Sequence, residues 1–406
     1  MRPGLLLATA LLVSAVGIST WLAAADYATI PPRGDFHERE APAITLTGTD
    51  GKALRNDALR RAAFVVPASA RSLHDSSPSS PLRRPVPACR FVPSEPSGTT
   101  PKFDCVFADG PTVKVKYGHD AEIHGEAAAT ALLGMLGYAA DTVTIVPRLR
   151  CYGCPRHPFV AAHLRRTFVM PRLFEEIPEG FTDFEWVSVE QKFPAPAIET
   201  DSVAGWDWRE LDRVDAPRAE VDAFRLLAAF LAHWDNKSQN QRLVCLDQVR
   251  LKADTTTERK ADTTTERKAD TTSGRSPAEA PAKPGEGGCQ QPLAMIQDLG
   301  ASFGPPKVNL ARWRDLPVWH DRTTCMLSMR ALPFEGATFE DVRVSEAGRM
   351  LAAERLGAIT VQQIERLFAD ARFPQFQAGT ADERDLKAWT DAFRSRVTQI
   401  AEARCD

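Results

Sequence analysis

The sequence lacks an excess of either charge, since 50 lysines and arginines stand against 53 aspartates and glutamates and give a formal net charge of −3. A nucleic-acid-binding domain usually carries a strongly basic face, so this balance argues against nucleic acid as a partner. Hydrophobic residues make up 43% and charged residues 25% of the 406 positions. That composition excludes a chain disordered throughout and a protein with many membrane spans. At about 150 residues per domain, the length predicts two or three structural units.

The first 25 residues have the organisation of a secretory signal. Arg2 supplies a positive start, an apolar run covers 5–18, and small residues precede Asp26. We therefore predict a signal peptide at 1–25 and a mature protein outside the cytoplasm, either periplasmic or secreted. An uncleaved anchor is the alternative, because the apolar stretch at 4–25 is long enough to span a bilayer; contact with a membrane is expected only in that case. The run is not followed by a cysteine, which argues against a lipoprotein.

Eight cysteines suit an oxidising compartment, where disulfides form and persist. They allow on the order of a hundred connectivities, of which Cys245–Cys289 stands out because it would close the base of a long insert. Cys151 and Cys154 form a CxxC motif, whose neighbouring proline and arginines predict a loop. A second CxxC is missing, which argues against a four-cysteine zinc site. A local structural disulfide is preferred to the redox centre of a thiol-disulfide protein.

Two segments show no pattern typical of a packed domain. The weak patterning of 26–87 predicts a weakly ordered N-terminal extension, and its end, rich in Ser, Pro and Arg, is typical of a linker. Further on, an eight-residue polar unit that begins at Lys252 recurs at Lys260 and starts again at Lys268. This period matches no solenoid repeat, and the polar residues cannot bury a core. We predict a disordered insert at 249–288 in a surface loop, where loop-closure entropy tolerates it.

The rest of the chain alternates between strand and helix patterns. Two strands at 103–110 and 111–117 are predicted to form a hairpin that turns at Asp109-Gly110. A helix over 121–136 should end at Gly137, and a strand over 142–146 follows it. The later predicted elements are a helix over 221–233, a strand over 243–246, and helices over 346–356, 361–371 and 382–403.

The densest group of polar residues follows the predicted helix at 221–233. Asp235, Lys237 and Asn240 lie just before the next strand, and a later apolar run leads into Asp298-Leu-Gly. Asn240 and Asp298 are 58 positions apart. Without the repeat insert the gap is roughly 18 residues, close to the hairpin that separates a catalytic loop from a metal-binding aspartate in kinases.

An ordered series of motifs precedes this group. Ser97 and Gly98 belong to a loop before the first strand, Lys116 ends the second strand, and Glu126 lies early in the following helix. The series resembles the protein-kinase-like superfamily, in its HipA-like and phosphatidylinositol 3- and 4-kinase-like branch, which includes atypical secreted kinases. The resemblance covers about 97–304 without the insert. An ordinary eukaryotic protein kinase is not indicated, because its Gly-x-Gly-x-x-Gly loop, the arginine of His-Arg-Asp and Ala-Pro-Glu are missing from the sequence.

The resemblance implies an α+β fold with two lobes. A small β-rich lobe with one helix is expected at 88–185, a larger and mainly helical lobe at 186–406, and a hinge at 186–193. It also implies an extracytoplasmic phosphotransferase that uses ATP and Mg²⁺ and acts on an unknown hydroxyl acceptor in a protein, sugar or lipid. Transfer of AMP stays open. The alternative is a catalytically inactive pseudokinase or binding module of the same fold, since ATP is scarce outside the cytoplasm.

The resemblance assigns a role to each motif, because phosphoryl transfer depends mainly on positioning and charge neutralisation. On the helical side, Asp235 would orient the attacking hydroxyl and Lys237 would touch the transferred phosphoryl. Asn240 and Asp298 would supply oxygen ligands for Mg²⁺. His233 is expected to anchor the backbone, and the sequon that begins at Asn236 is expected to carry no glycan.

On the strand side, the implied contacts go to the nucleotide. Lys116 would hold the α- and β-phosphates and be oriented by Glu126, while the backbone N–H groups of Ser97 and Gly98 would approach the phosphates. Two alternatives stay open. Lys114 shares a strand face with Lys116, and Glu122 shares a helix face with Glu126 at an i, i+4 spacing.

Overall fold

The computed structural model describes residues 44–70, 82, 86–95, 98–108, 112–168, 177–248, 289–329, 338–375 and 380–405. The predicted signal peptide, the predicted insert at 249–288, Ser97 and the predicted turn at Asp109-Gly110 lie outside these residues. Within the described part, no helix is both long and apolar enough to cross a bilayer.

Five strands close into a small barrel in the order β2-β3-β4-β6-β5. Along these strands, alternate apolar side chains point inward, and Phe103, Val115 and Val189 belong to one buried cluster. A disulfide between Cys89 and Cys105 joins the first two strands. The bounds are β2 (Ala88–Val92), β3 (Lys102–Phe107), β4 (Thr112–Lys116), β5 (Thr142–Gly153) and β6 (Ile177–Gln191).

Helix α2 (Ala121–Met135) packs against the barrel and carries the side chains that later meet β4. Asp120 caps its first turn by accepting a hydrogen bond from the Glu122 backbone N–H. Gly137 follows the helix with a φ of +81°, as expected for a residue that ends one. A second helix, α3 (Pro158–Phe168), lies in the same region, so the prediction of one helix there is wrong.

The remaining helices build the larger part of the molecule around one apolar core. In this core the ring of Trp313 contacts those of Phe230 and Trp389, and Phe230 also contacts Phe393. The buried Arg396 guanidinium donates to the Phe230 carbonyl. The bounds are α4 (Arg218–Leu231), α5 (Leu310–Asp315), α6 (Glu346–Gly357), α7 (Val361–Asp370) and α8 (Leu386–Ala401). The α+β class, with a β-rich part and a mainly helical part, is confirmed.

A two-stranded hairpin of β8 (Gln241–Cys245) and β9 (Pro292–Ile296) lies against the helical core. The register pairs Gln241 with Ile296 and Cys245 with Pro292, so the two strands meet across the predicted insert. Cys245 and Cys289 form the predicted disulfide at the insert end of the hairpin. A further short pair consists of β10 (Met326–Leu327) and β11 (Val342–Arg343), close to the Cys325–Cys405 disulfide.

The start of the described chain is ordered, contrary to the weakly ordered extension predicted at 26–87. Strand β1 (Ile44–Leu46) pairs in parallel with β7 (Ile198–Thr200), and α1 (Gly48–Arg60) follows it. Phe64 is buried and lies 4.9 Å, ring to ring, from Phe224 of α4. Residues 44–70 therefore belong to the core of the helical part. Their order comes from these long-range contacts, which a local pattern does not reveal.

Two predicted connections are partly strand. β5 extends through Gly153, so the loop predicted around the CxxC motif is confirmed only after it, at 154–157. Cys151 and Cys154 form a disulfide. β6 runs through Gln191, so most of the predicted hinge at 186–193 is strand, and the division at 185/186 falls inside it. After β6, the Phe193 N–H donates to the Asp141 carboxylate, which fixes the start of the connection to the helical part.

Candidate active site

The ammonium of Lys116 is buried between the barrel and α2. Its Nζ lies 2.7 Å from Glu126 Oε2 and 2.8 Å from Glu122 Oε1. The two carboxylates are one helical turn apart, which lets both reach the same lysine. The structure thus brings Lys116 to both glutamates between which the sequence left a choice. Lys114 instead lies 3.2 Å from Glu190 of β6.

Burial and charge set the protonation of this group. Burial opposes the charge on Lys116, but Glu126 and other carboxylates outweigh it and raise the pKa of the ammonium well above its ordinary value. Burial raises the pKa of Glu126 to about 8, despite the attraction of Lys116. At Glu122 the attraction of Lys116 overcomes the effect of burial and lowers the pKa to about 2. Lys116 is therefore charged at neutral pH, and Glu122 is its ionised partner.

The loop after α4 is held in place by a buried asparagine. Ala232 ends the helix with a φ of +53°, and the Asn236 side chain then donates to the carbonyl of His233. Its Oδ1 accepts from the backbone N–H groups of Thr338 and Phe339. Because the amide is fully buried and bonded at both atoms, the sequon at this position is not accessible in the folded protein.

Asp235 and Lys237 lie on the exposed side of this loop. Both side chains are partly exposed, and Lys237 Nζ lies 3.3 Å from the Asp235 carboxylate. His233 faces the interior instead. Burial lowers the pKa of its imidazole to about 4, so the ring is neutral at physiological pH. Asp235 and Lys237 thus form a partly exposed ion pair, whereas the His233 ring is fully buried.

The β8–β9 hairpin places Asn240 beside Asp298. The carbonyl of Asn240 accepts from the backbone N–H groups of Gln297, at 2.8 Å, and of Asp298, at 3.3 Å. The side-chain Nδ2 of Asn240 donates to the carbonyl of Asp235 at 2.6 Å. The two residues that the sequence separates by the insert are therefore adjacent, and Asn240 also ties them to the Asp235 loop.

Electrostatic attraction links this hairpin to the barrel. Burial favours the neutral form of Asp298, but the positive charge of Lys116 outweighs it and lowers the pKa of the carboxyl. The Gly300 N–H adds a hydrogen bond to Asp298 Oδ1 at 3.2 Å. Asp298 is therefore ionised at neutral pH and lies close enough to Lys116 for their charges to interact. Gly300, two residues further on, lies against Glu122 of α2, so the two halves of the candidate site are neighbours.

The donor set fits a hard divalent cation. Asp298 offers an ionised carboxylate, of which one oxygen accepts from Gly300. Asn240 uses its Nδ2 toward Asp235, and among the described residues none donates to its Oδ1. Mg²⁺ prefers such oxygen ligands and keeps part of its water shell. The residues present are thus chemically suited to hold the predicted metal.

A second network, absent from the sequence prediction, connects the loop around Gly98 to Glu122 and so to Lys116. The Lys307 ammonium lies 2.9 Å from Asp120 and 3.0 Å from Glu122. It also donates to the hydroxyl of the buried Thr100, which donates in turn to Glu122. Lys307 stands outside every recognised motif, so only the three-dimensional structure associates it with the site. Gly98 has a φ of +78°, which favours glycine at this turn.

Among known proteins, the chain shows only distant similarity to solved structures. No protein-family model matches the chain, and none of the curated proteins does. One similar solved structure is the Helicobacter pylori proinflammatory kinase CtkA, at 8% identity and a TM-score of 0.35, with 77% of this chain and 97% of that chain covered. Another is the Golgi casein kinase with Mn/ADP bound, at 10% identity and a TM-score of 0.32, with 87% and 85% covered. The residue roles rest on the geometry above.

Proposed function

We propose that the protein is an extracytoplasmic phosphotransferase of the protein-kinase-like superfamily that uses ATP and Mg²⁺. The observation that supports this most is the proximity of two pairs of residues. Lys116 of β4 contacts Glu126 of α2, Asn240 is hydrogen-bonded to Asp298 beside the β8–β9 hairpin, and the charges of Lys116 and Asp298 interact. A lysine held by carboxylates opposite an aspartate and an asparagine suits a nucleotide with its metal ion.

Each group has a task in the transfer. Lys116 binds the α- and β-phosphates, with backbone N–H groups of Ser97 and Gly98 over the phosphate chain. Asp235 accepts the proton of the acceptor hydroxyl. The hydroxyl oxygen bonds to the γ-phosphorus of ATP while the bond between that phosphorus and ADP breaks. Lys237 offsets the charge of the transferred group. Mg²⁺, when held by Asn240 and Asp298, supplies further neutralisation of the phosphate oxygens.

The cellular setting follows from the cysteines. All eight are paired in disulfides, which persist in oxidising compartments. We place the protein in the periplasm or among secreted proteins, with a hydroxyl of a protein, sugar or lipid as its acceptor. The signal peptide at 1–25 and the choice of branch, HipA-like or phosphatidylinositol-kinase-like, belong to this proposal.

A thermal-shift titration with ATP and Mg²⁺ tests the binding part. Ligand at about a hundredfold excess over its dissociation constant should stabilise the wild type by about 2.7 kcal/mol. Asp298→Asn should abolish the metal-dependent shift, whereas Asp315→Asn, a change at an exposed aspartate on α5, should keep it. A shift that persists in Asp298→Asn, or no shift of the wild type with ATP or GTP, contradicts the proposal.

Turnover separates an enzyme from a binding module. Because the acceptor is unknown, slow ATP hydrolysis by the purified protein serves as the readout, with water in the place of the acceptor. Asp235→Asn should keep the nucleotide-dependent shift and lose at least about a hundredfold in rate, the usual contribution of a general base. Wild-type binding without hydrolysis or transfer to any acceptor tested would favour the pseudokinase alternative.

A further inference from the structure

Lys102 lies at the first position of β3, directly across the ladder from Lys116 of β4. Phe103 and Val115, the next residues inward, are buried in the barrel core, so the two lysines share the opposite face of the sheet. A Cβ atom built on Gly98 would lie 3.5 Å from Lys102 Nζ. The ammonium of Lys102 therefore lies against the Gly98 turn.

Lys102 differs from three neighbouring lysines in its partners. Within the described part of the chain, Lys102 makes neither a hydrogen bond nor an ion pair. The others each have a carboxylate within 3.2 Å: Lys116 with Glu122 and Glu126, Lys307 with Asp120, and Lys114 with Glu190. Of these four lysines, Lys102 is thus the one with no carboxylate at ion-pair distance among the described residues.

This imbalance is energetically unfavourable. Burial of the Lys102 side chain, and next the charge of Lys116, lower the pKa of the ammonium. A partly enclosed charge without a counter-ion is costly, and a like charge beside it adds to the cost. Asp298 and Glu122 attract Lys102 from a distance. An anion bound at Lys102 would lie between the ammonium and the candidate metal ligands and would relieve the imbalance.

We propose that Lys102 binds the terminal phosphate of a nucleoside triphosphate and sets the preference for triphosphate over diphosphate and monophosphate. The proposal rests on the proposed function and extends it to a residue outside the predicted motifs. The Lys116 ammonium is already paired with the ionised Glu122 and contacts Glu126, whereas Lys102 has no carboxylate partner among the described residues. A phosphate has the negative charge and the acceptor oxygens that such an ammonium needs.

The test compares wild type, Lys102→Met and the exposed control Lys52→Met by calorimetric titration with ATP, ADP and AMP in Mg²⁺. Loss of one charge-assisted phosphate contact should weaken ATP binding of Lys102→Met by at least about tenfold. AMP binding should stay within about twofold, and ADP should fall between. Without ligand, Lys102→Met should melt at the same temperature as the wild type or higher, because an unbalanced charge has been removed.

A merely structural role for Lys102 predicts the opposite set of results. The ligand-free variant would melt lower, and ATP, ADP and AMP would lose affinity equally. Either that outcome or unchanged ATP affinity in Lys102→Met overturns the assignment, even if the wild type binds ATP as proposed.

Inorganic tripolyphosphate separates this inference from the proposed function. If the wild type is stabilised by tripolyphosphate and Lys102→Met is not, Lys102 is a phosphate site whether or not a nucleoside binds. If nucleotides do not stabilise the wild type, but tripolyphosphate stabilises it and not Lys102→Met, the proposed function fails and the phosphate site stands. If both proteins respond equally to tripolyphosphate, the phosphate site fails.

Discussion

Removing the disulfide at the base of the β8–β9 hairpin should cost more in the full chain than in a chain without the insert. Cys245 and Cys289 are 44 positions apart, and a cross-link that closes a loop of this length contributes about 4 kcal/mol in the chain-entropy model. Deletion of 250–287 shortens the separation to about six residues and reduces the contribution to about 2 kcal/mol. The deletion alone should leave the disulfide-bonded protein almost as stable as before.

Urea unfolding of four proteins measures this difference. The set combines full and shortened chains with the intact pair or with Cys245→Ser and Cys289→Ser together, in the absence of reductant so that the other disulfides persist. The coupling between the two changes should be about 2 kcal/mol. Equal cost of disulfide removal in both chain lengths refutes the reasoning. A loss of several kcal/mol on deletion in the disulfide-bonded chain would mean that the insert packs against the body of the protein.

Three further predictions concern the loop after α4. His233 has a pKa of about 4 in the folded protein, so the unfolded chain binds more protons below pH 6.5, and stability should fall by up to about 3 kcal/mol as the pH drops from 6.5 to 4. His233→Phe should flatten that part of the urea-derived stability profile, and an unchanged slope counts against the buried neutral ring. Asn236→Ala should cost about 2–4 kcal/mol in urea unfolding, because the Thr338 and Phe339 N–H groups lose their acceptor. Intact-mass analysis after expression in a glycosylating host should find Asn236 unmodified, and a glycan there would contradict its burial.

Elements with strong local signals were predictable from the sequence. The helix predicted over 121–136 matches α2, with its Asp120 cap, and the predicted C-terminal helices match α6, α7 and α8 within a few residues. The capping box of Thr360 and Gln363 at the start of α7 shows why, since such ends are encoded within four residues. The Cys245–Cys289 pair was predictable because the repeat between the two cysteines is visible in the sequence.

The missed elements depend on distant contacts. Helix α1 follows β1, which pairs with β7 about 150 residues later, and a local pattern does not show such a contact. β6 was missed because its central part, around Trp186, was interpreted as a hinge. In the structure, its pairing with both β4 and β5 makes it a barrel strand.

The candidate site was predictable as a set of residues, but its connections were not. The order of motifs indicated Lys116, Glu126, Asn240 and Asp298. In the structure Lys116 contacts Glu126, Asn240 is hydrogen-bonded to Asp298, and the charge of Lys116 acts on Asp298. The i, i+4 spacing could not choose between Glu122 and Glu126 because both face Lys116. Lys102 and Lys307 escaped prediction because an isolated lysine in a strand or loop has no pattern, and its meaning depends on which carboxylates lie near it.

The two ends of the β8–β9 hairpin answer to different constraints. At one end, the Asn240 carbonyl accepts backbone hydrogen bonds from Gln297 and Asp298 and so holds Asp298 in place. At the other end, the Cys245–Cys289 disulfide joins the two strands on either side of 249–288. Five residue pairs of the β8–β9 ladder separate that disulfide from Asn240 and Asp298. A change in the length of 249–288 should therefore not move these two residues. The segment 249–288 is therefore a suitable insertion site for protein engineering. A fluorescent or affinity domain placed there should leave the polar end of the hairpin, with Asn240 and Asp298, undisturbed.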